Sequence, residues 1–397
     1  MKKILILDTG KEWGGGTNSL IELLKRIDRG RFMFSALFYT NYKMGSGSNI
    51  KAELEKLGVE FILLERSEKR FYFKAAKEAI RPFLVLSPQL KKRFIFNLDY
   101  KSRIIPDSER IAKVLSHGGF DLLYMNNQPS SNLEGILAAK LLKLPCIQHS
   151  RVEVKLNSVE ADAVNRWVSK VICVSKGVED SLLASGVNQD RCTVVYNGID
   201  SRVKAKRGPE EIRKELGVRK GSLLIGTVGS LVKRKRINLF IEAFAQLKRK
   251  DIFCAVVGEG PEMDNLKESC VRLGIKDRVI FTGFSADAIS YINAFDLFVM
   301  PSEKEGLPRV ILESMLMGKP VVAFDVVGTR ELAVNDSTGI LVKEENAEAL
   351  ASAIEAALGN TNKMRSMGEA GRKRVTESFG IERYIDGVSR VFEEVLS

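Results

Sequence analysis

Residues 223–245, Leu223-Leu-Ile-Gly-Thr-Val-Gly-Ser-Leu-Val-Lys-Arg-Lys-Arg-Ile-Asn-Leu-Phe-Ile-Glu-Ala-Phe-Ala245, combine a short apolar run, a basic glycine-containing loop and an amphipathic run. A short aliphatic run bounded by glycine predicts a buried strand, and apolar residues at helical spacing predict a helix that covers it. A strand followed by such a helix is the repeating unit of a parallel sheet. Because the segment follows a polar stretch from Ser201 to Pro209, it marks the point at which this pattern starts again.

The same alternation of short apolar runs and longer amphipathic stretches extends over the whole chain. The strands predicted before the polar stretch are 3–7, 34–38, 59–64, 121–125, 145–148, 170–174 and 193–196. Those predicted after it are 223–228, 253–257, 278–281, 296–300, 319–324 and 339–342. We therefore predict an α/β protein with two doubly wound Rossmann-like domains, residues 1–200 and 201–378, and an amphipathic C-terminal helix within 379–397. Ligands of such sheets bind beyond the carboxyl ends of the strands, so we expect the ligand in the cleft between the domains.

The composition is that of a folded protein rather than a disordered or fibrous one. The chain has 397 residues, of which 45% are hydrophobic and 28% charged, a length that suits about two domains. No apolar run reaches the roughly 20 residues that span a bilayer. The N-terminal run meets Asp8 too early for a signal peptide, so we expect a cytoplasmic protein.

Cysteine spacing argues against a zinc site, and the net charge favours an anionic ligand. The five cysteines are scattered without the spacing of a zinc site. The net charge of +12 favours an anionic partner. Nucleic acid, acidic lipid and a nucleotide diphosphate all fit that charge.

Three glycines follow the first predicted strand, in Glu12-Trp-Gly-Gly-Gly-Thr-Asn18. Gly15 and Gly16 precede an amphipathic run, and they lack the side chains that would keep a phosphate from the amides of a helix N-terminus. The spacing matches neither a dinucleotide-binding Gly-x-Gly-x-x-Gly nor a P-loop. Glycine clusters are also common in tight turns, so the residues alone leave both interpretations open.

Four consecutive cations, Lys233 to Arg236, follow the first predicted strand of the second domain. At the carboxyl end of a strand they are placed to neutralise a diphosphate, whereas cation runs elsewhere usually form a solvated surface. The sequence by itself supports both interpretations equally.

The most specific local pattern is Met300-Pro-Ser-Glu-Lys-Glu-Gly-Leu-Pro-Arg-Val-Ile-Leu-Glu-Ser-Met315. Pro308 stands where a helix can begin, because proline has no N–H and a fixed φ. Glu305 precedes this helix and Glu313 lies within it, so both can face one ligand beside the free amides at the helix start. A glycosidase with paired carboxylates is a competing interpretation, but its two acids flank the bond being cut and have no adjacent anion site.

Only two histidines are present, His117 and His149. His117 lies in a glycine-containing segment typical of a surface turn. His149 follows a predicted strand at its carboxyl end, where doubly wound domains place functional residues. A lone histidine is more often structural, so both roles stay open for His149.

Taken together, these segments resemble the retaining glycosyltransferases of family four, with the GT-B fold, over nearly the whole chain. The segment Glu305–Glu313 resembles that family's E-x7-E motif. Further segments match in the expected order, namely 174–177, 196–200, 258–261, 281–284, 317–322 and 328–331. The resemblance implies two Rossmann-like domains that face each other across a cleft, with the C-terminal helix returning to the first domain.

The resemblance also implies residue roles. Glu305 would contact the donor sugar, Glu313 would bind the ribose, and His149 would lie beside the transferred sugar. Lys235 would bind the diphosphate and, with His149 and Glu305, form the catalytic set. The other implied donor-binding residues are Gly15, Gly16, Ser230, Arg234, Gly258, Phe284, Gly306 and Leu307, the last two through their backbone amides.

Two positions depart from the family pattern. Ser230 stands where an arginine is usual, which leaves Arg234 as the candidate for the second cation. Arg236 follows the lysine where a glycine is common.

The implied reaction uses a UDP-, GDP- or ADP-sugar donor and no cofactor. The acceptor would be a hydroxyl of a cell-envelope glycan, a lipid-linked molecule or a small molecule. Cleavage of the anomeric C–O bond leaves negative charge on the diphosphate, which fixed cations and helix-start amides stabilise. With no metal-binding Asp-x-Asp beside a predicted strand end, we expect metal independence, and the family's same-face attack implies retention.

Residues 66–110 are basic and aromatic, in segments such as Lys69-Arg-Phe-Tyr-Phe-Lys74 and Lys91-Lys-Arg-Phe-Ile-Phe96. Cations interleaved with large apolar groups favour an anionic membrane surface, so we predict peripheral association with the inner face of the membrane. Ordinary helices that cover the first domain are the alternative.

Two rival function classes remain. One is a nucleotide-sugar epimerase of the same fold, and the other is a non-enzymatic, basic nucleic-acid-binding protein. The positive charge is divided between the loop at 233–236 and residues 66–110, unlike the single basic face of small nucleic-acid-binding modules. We therefore expect no nucleic-acid partner.

Overall fold

The computed structural model describes residues 1–10, 13–43, 45, 47–65 and 88–397, with the backbone alone for 88–93. It contains two parallel β-sheets, and every strand predicted from the sequence is present, so the predicted α/β class is confirmed. The first sheet has the order β3-β2-β1-β4-β5-β6-β7. Its strands are β1 (Lys2–Asp8), β2 (Phe32–Phe38), β3 (Glu60–Leu63), β4 (Leu122–Met125), β5 (Cys146–Ser150), β6 (Lys170–Cys173) and β7 (Cys192–Val194).

The second sheet has the order β10-β9-β8-β11-β12-β13. Its strands are β8 (Leu223–Val228), β9 (Ile252–Val257), β10 (Val279–Gly283), β11 (Leu297–Met300), β12 (Val321–Phe324) and β13 (Gly339–Val342). In each sheet the strand order reverses beside the first strand, between β1 and β4 and between β8 and β11. Such switch points open a crevice at the carboxyl ends of the strands.

Helices cover both faces of each sheet. Along β1, Ile4 and Ile6 belong to one apolar core while Leu5 and Leu7 belong to another, as expected when alternate side chains of a buried strand point to opposite faces. In the first domain the described helices are α1 (Gly15–Arg26), α2 (Ile50–Glu55), α3 (Pro88–Asp99), α4 (Ile105–Gly118), α5 (Leu133–Leu142), α6 (Ser158–Trp167) and α7 (Lys176–Leu183).

The remaining helices belong to the second domain and the C-terminal segment. They are α8 (Pro209–Glu215), α9 (Ile237–Gln246), α10 (Met263–Arg272), α11 (Ala288–Ala294), α12 (Arg309–Leu316), α13 (Thr329–Leu332), α14 (Ala347–Leu358), α15 (Thr361–Ser378) and α16 (Ile381–Leu396).

Helix α16 returns to the first domain. Its buried residues Tyr384, Val388 and Phe392 share a core with Ile4 and Phe34. Beside it the two connections between the domains pair with each other, because the Ile199 amide donates to Phe379 O at 2.9 Å and the Ile381 amide donates to Ile199 O at 3.0 Å. A Cβ atom on Gly198 would lie 2.8 Å from Gly380 O, so this crossing needs a glycine.

Within the described residues, no helix has the length and apolar character needed to cross a membrane. The basic, aromatic segment predicted to contact a membrane spans residues 66–110, of which 66–87 lie outside the described residues. Its C-terminal part forms α3, a π-helical turn at Tyr100–Ile104 and the start of α4.

Candidate functional site

The topology of the second sheet brings two predicted site loops together. The loop at 229–236 follows β8 and the loop at 301–308 follows β11, and these strands are neighbours at the switch point. The Glu303 amide donates to Arg234 O at 2.9 Å, which joins the loops through their backbones. Residues that are 70 apart in the sequence therefore share one site.

Glu305 is the buried acid of this site, with 6% of its surface exposed. Its Oε1 lies 2.5 Å from Lys235 Nζ and 3.8 Å from Arg234 Nη1. Burial alone raises the pKa of Glu305, but the Lys235 ammonium and the Arg234 guanidinium outweigh burial, and the net pKa is below the usual glutamate value. Glu305 is therefore a carboxylate at neutral pH and accepts hydrogen bonds.

Glu313 lies on α12, eight residues after Glu305 and mostly buried. Its Oε1 accepts from Arg309 Nε at 3.3 Å, and Arg309 Nη1 also donates to Gly198 O at 3.3 Å. Burial raises the pKa of Glu313, and Arg309 only partly opposes this. The two predicted glutamates thus differ. Glu305 contacts two cations of its own domain, whereas Glu313 is linked through Arg309 to the connection between the domains.

The 301–308 loop abuts the first domain. A Cβ atom on Gly306 would lie 2.0 Å from Arg151 O, so only glycine fits this close approach. The carbonyl of Leu307 accepts a hydrogen bond from Asn197 Nδ2 at 3.2 Å. Pro308 is the N-cap of α12, which begins one residue later than its sequence position suggested.

The basic loop contains a short turn at Lys233–Lys235 that leads into α9. Ser230 lies partly exposed before this turn. Arg236 has φ 48° and ψ 37°, a left-handed conformation that favours glycine. This explains why glycine is common after the lysine in the family pattern. In this chain, Arg236 instead pairs with Glu303 and Glu345.

The glycine loop of the first domain leads directly into α1. Gly15 and Gly16 are the first residues of the helix, and the N-cap Gly14 supplies no side chain to its first turn. The amides of this turn carry the positive end of the helix dipole. A Cβ atom on Gly16 would lie 3.7 Å from Arg151 Cγ, so the loop runs beside the side chain of that arginine.

Gly258 and Phe284 follow β9 and β10 at the same edge of the second sheet. The Gly258 amide donates to Gly283 O at 2.8 Å, and a Cβ atom there would lie 1.9 Å from Gly229 O. Phe284 is 36% exposed, and its ring occupies the space that a Cβ atom on Gly45 of the first domain would fill. Phe284 thus contacts the opposite side of the cleft.

His149 ends up inside the first domain. It is 0% exposed, its Nδ1 lies 2.5 Å from Tyr124 Oη, and its ring packs against those of Tyr124 and Tyr384. Nε2 has no hydrogen-bond partner among the described residues. Burial, and then the Arg151 guanidinium, lower the pKa of His149 well below 6.5, so the ring is neutral at physiological pH.

Four buried polar residues at the cleft were not predicted as site residues. Asp8, Asn126 and Arg151 stand at or just after the carboxyl ends of β1, β4 and β5, and Asn197 lies in the connection between the domains. The rule that selected His149 also applies to the first three. Sequence reasoning missed them because Asp, Asn and Arg after a strand are usually solvated.

Two of the matched motifs contact each other across the domains. The amides of Lys176 and Gly177, at the start of α7, donate to the Glu331 carboxylate at 2.9 and 2.8 Å. An acidic side chain at a helix N-terminus is favourable to the helix dipole. This contact joins segments 174–177 and 328–331, two of the segments matched from the sequence. Within the described ranges, no group of three or more His, Cys, Asp or Glu side chains forms a candidate metal site.

Comparison with known proteins identifies the family. The family model described as Glycosyltransferase Family 4 matches residues 48–203, and the model described as Glycosyl transferases group 1 matches residues 209–374. The chain belongs to the family four glycosyltransferases. The resemblance stated from the sequence motifs is thereby confirmed.

Individual family four relatives match over different lengths. N-acetyl-alpha-D-glucosaminyl L-malate synthase of Bacillus anthracis is 31% identical over 53% of this chain, which spans 55% of that relative. UDP-Gal:alpha-D-GlcNAc-diphosphoundecaprenol alpha-1,3-galactosyltransferase of Escherichia coli is 23% identical, and the match covers 80% of this chain and 85% of that relative's length. The solved structure of Anabaena HepE with UDP and glucose has a TM-score of 0.80 at 22% identity, covering 99% of this chain and 100% of HepE. That likeness confirms the two-domain GT-B fold.

Proposed function

We propose that this protein transfers a hexose from a nucleotide diphosphate sugar to a hydroxyl acceptor, with retention of anomeric configuration and without a metal. The acceptor class is a cell-envelope glycan, a lipid-linked molecule or a small molecule. The observation that carries this proposal is the buried Glu305 carboxylate, which holds Lys235 at 2.5 Å beside Arg234 at the switch point of the second sheet.

The ion pair fixes a cation where the leaving group forms. Lys235 is only 16% exposed and points at a carboxylate whose low pKa keeps it charged. A cation held in place before the reaction needs no reorganisation as negative charge develops on the diphosphate. Glu305 in turn accepts hydrogen bonds from the sugar hydroxyls, and its ionised state makes it unsuited to donate a proton.

Anion-binding groups from both domains complete the donor site. In the first domain, the uncapped first turn of α1 at Gly15 and Gly16 supplies amides and a positive dipole end. In the second domain, the amides of Gly306 and Leu307 precede α12 and bind the diphosphate. Glu313 accepts hydrogen bonds from the ribose hydroxyls. Ser230, Gly258 and Phe284 line the remaining ends of β8, β9 and β10.

The proposed step balances without another reactant. The anomeric C–O bond to the diphosphate breaks, and its electron pair stays on the phosphate oxygen. The acceptor oxygen bonds to the anomeric carbon on the same face, and its proton passes to that phosphate oxygen. Lys235 and Arg234 stabilise the charge on the departing diphosphate in the transition state. His149 stays a predicted neighbour of the sugar, and its full burial requires a movement of its surroundings before it makes that contact.

The names of the relatives indicate which substrates to test first. HepE was solved with UDP and with UDP-glucose, and the E. coli relative is named for a UDP-Gal donor and a diphosphoundecaprenol-linked acceptor. We therefore place UDP-hexoses before GDP- and ADP-sugars, and a polyprenyl-diphosphate-linked sugar before soluble acceptors.

Thermal unfolding with free nucleotides tests the proposal directly. A nucleoside diphosphate at 100 times its Kd stabilises a folded protein by about 2.7 kcal/mol. We expect UDP, GDP or ADP to raise the melting temperature, and the matching sugar nucleotide to be hydrolysed slowly with EDTA present. Stabilisation by oligonucleotides alone would favour the nucleic-acid-binding alternative. Release of an epimerised sugar without transfer to any acceptor would favour the epimerase.

A further inference from the structure

A chain of side-chain hydrogen bonds connects the end of β1 with the 301–308 loop. Asp8 Oδ2 accepts from Asn126 Nδ2 at 2.7 Å, and Asn126 Oδ1 accepts from Arg151 Nε at 2.9 Å and from Nη2 at 2.6 Å. Arg151 Nη1 donates to Asn197 Oδ1 at 3.0 Å. Asn197 Nδ2 then donates to Leu307 O at 3.2 Å, and this last bond reaches the second domain.

Burial makes each bond of this chain directional. Asp8, Asn126, Arg151 and Asn197 are exposed by 2%, 1%, 8% and 6%. The Asn126 amide presents its oxygen to the guanidinium and its nitrogen to the Asp8 carboxylate, so a flip would place like partial charges together. Buried charges of this kind are stable only when paired and hydrogen-bonded. The Asn126 amide thus links the Asp8 carboxyl group to the Arg151 guanidinium.

The last of these hydrogen bonds reaches the 301–308 loop, which also lies against the backbone of Arg151. Arg151 O occupies the space that a side chain on residue 306 would need, because a Cβ atom there would lie only 2.0 Å away. Arg151 therefore approaches this loop in two ways, because its carbonyl lies against Gly306 and its side chain bonds to Asn197, which donates to Leu307 O. The neighbouring amides are those proposed to bind the diphosphate.

We propose that Arg151 is a positioning residue for the 301–308 loop, acting through the orientation of the Asn197 amide. By fixing Asn197 Oδ1, Arg151 directs Nδ2 to the Leu307 carbonyl and sets the place of the Gly306 and Leu307 amides relative to the first domain. The consequence for donor binding rests on the proposed function. The positioning itself does not, and it can be measured without any nucleotide.

The variant that separates the two ends of the contact is Asn197→Asp. A carboxylate at 197 still accepts from Arg151 and keeps that buried pair, but it has no donor for Leu307 O. We expect a folded protein with a lower melting temperature than the wild type, because Arg151 still pairs with the new carboxylate while its second oxygen faces the Leu307 carbonyl. Hydrogen exchange of peptides covering 301–308 should become faster. Loss of one net hydrogen bond should also weaken nucleoside diphosphate binding by about 2- to 10-fold.

Two further variants make the result specific. Arg151→Lys keeps the charge but loses the planar fork that reaches Asn126 and Asn197 together, so it should speed exchange in the same peptides. Asn188→Asp, an exposed change of the same chemistry in the first domain, should leave them unchanged. Unaltered exchange of 301–308 in both Asn197→Asp and Arg151→Lys overturns the proposal. Faster exchange in a protein that binds no nucleotide would uphold the positioning role and contradict the proposed function instead.

Discussion

Lys235 Nζ lies 2.5 Å from Glu305 Oε1, and the pair joins loops that follow two neighbouring strands. Both groups are largely buried, with side chains 16% and 8% exposed. Breaking a buried pair by removing one partner leaves an uncompensated charge. Each substitution at this pair therefore tests both the site and its preorganisation.

Replacing Glu305 with alanine should reduce turnover by roughly 10- to 100-fold, the value of a hydrogen bond to a charged group. Affinity for the free nucleoside diphosphate should stay within about threefold, because the sugar that Glu305 is proposed to contact is absent and Lys235 keeps its charge for the diphosphate. Turnover and calorimetric binding measure the two effects. Glu303→Ala, at an exposed glutamate of the same loop, is the matched control. Normal turnover in a folded Glu305→Ala protein would remove this residue from the mechanism.

Glu313→Ala should weaken donor and free nucleoside diphosphate alike, because the ribose is common to both. A lost ground-state contact to a charged group predicts about a 10-fold or larger rise in Kd. Calorimetry with UDP, GDP and ADP measures it, with Glu348→Ala on the exposed start of α14 as control. Unchanged nucleotide affinity would show that Glu313 does not bind the ribose.

The cation pair can be tested by moving one charge. Arg234 Nη1 lies 3.8 Å from Glu305 and its side chain is 47% exposed, so Arg234→Gln should weaken nucleoside diphosphate binding by about 3- to 10-fold. Adding Ser230→Arg to that variant should restore affinity if the family's usual arginine position faces the same phosphates. Lys233→Gln removes an equal charge from the exposed side of the turn and should have little effect. Equal losses for Arg234→Gln and Lys233→Gln would indicate a general surface potential.

His149 predicts a specific pH dependence of stability. Its pKa is well below 6.5 in the folded protein because of burial and Arg151, so below that pH the unfolded chain binds a proton that the folded one does not. The free energy of unfolding should therefore decrease as the pH is lowered below about 6.5, with a slope approaching 1.4 kcal/mol per pH unit. In His149→Gln, the free energy of unfolding measured with denaturant should no longer show this slope between about pH 5 and 7. His117→Gln, at an exposed ring, should keep it, and an identical slope in both variants would contradict the assignment.

The membrane prediction concerns Lys91, Lys92 and Arg93, whose side chains lie outside the described residues. Replacing all three with glutamine should reduce binding to anionic vesicles while donor hydrolysis is unchanged, because Glu305 and Lys235 belong to the other domain. Salt should also weaken wild-type binding, since about 0.15 M screens exposed charges beyond ~8 Å. Co-sedimentation with vesicles measures both effects. A wild-type protein that ignores anionic vesicles at low salt would favour a soluble acceptor.

Local sequence was sufficient for the fold class, and it singled out the two loops of the second domain that the structure brings together. Strand and helix periodicity predicted the two sheets, because parallel strands buried on both faces are continuous apolar runs. Topology then placed Lys235 and Glu305 together, as strand-end residues at a switch point must be. The helix start near Pro308 followed from proline chemistry to within one residue.

The tertiary structure alone decided which polar residues at the first domain's strand ends are buried. His149 lies in β5 and Arg151 directly follows that strand, yet the His149 ring packs against Tyr124 and Tyr384 while the Arg151 guanidinium bridges Asn126 and Asn197. That difference depends on α16 and on the connection at 197–200, which come from distant parts of the chain. Sequence periodicity reports which face of an element is apolar, whereas the partners of a buried charge are set by elements that pack against it from elsewhere.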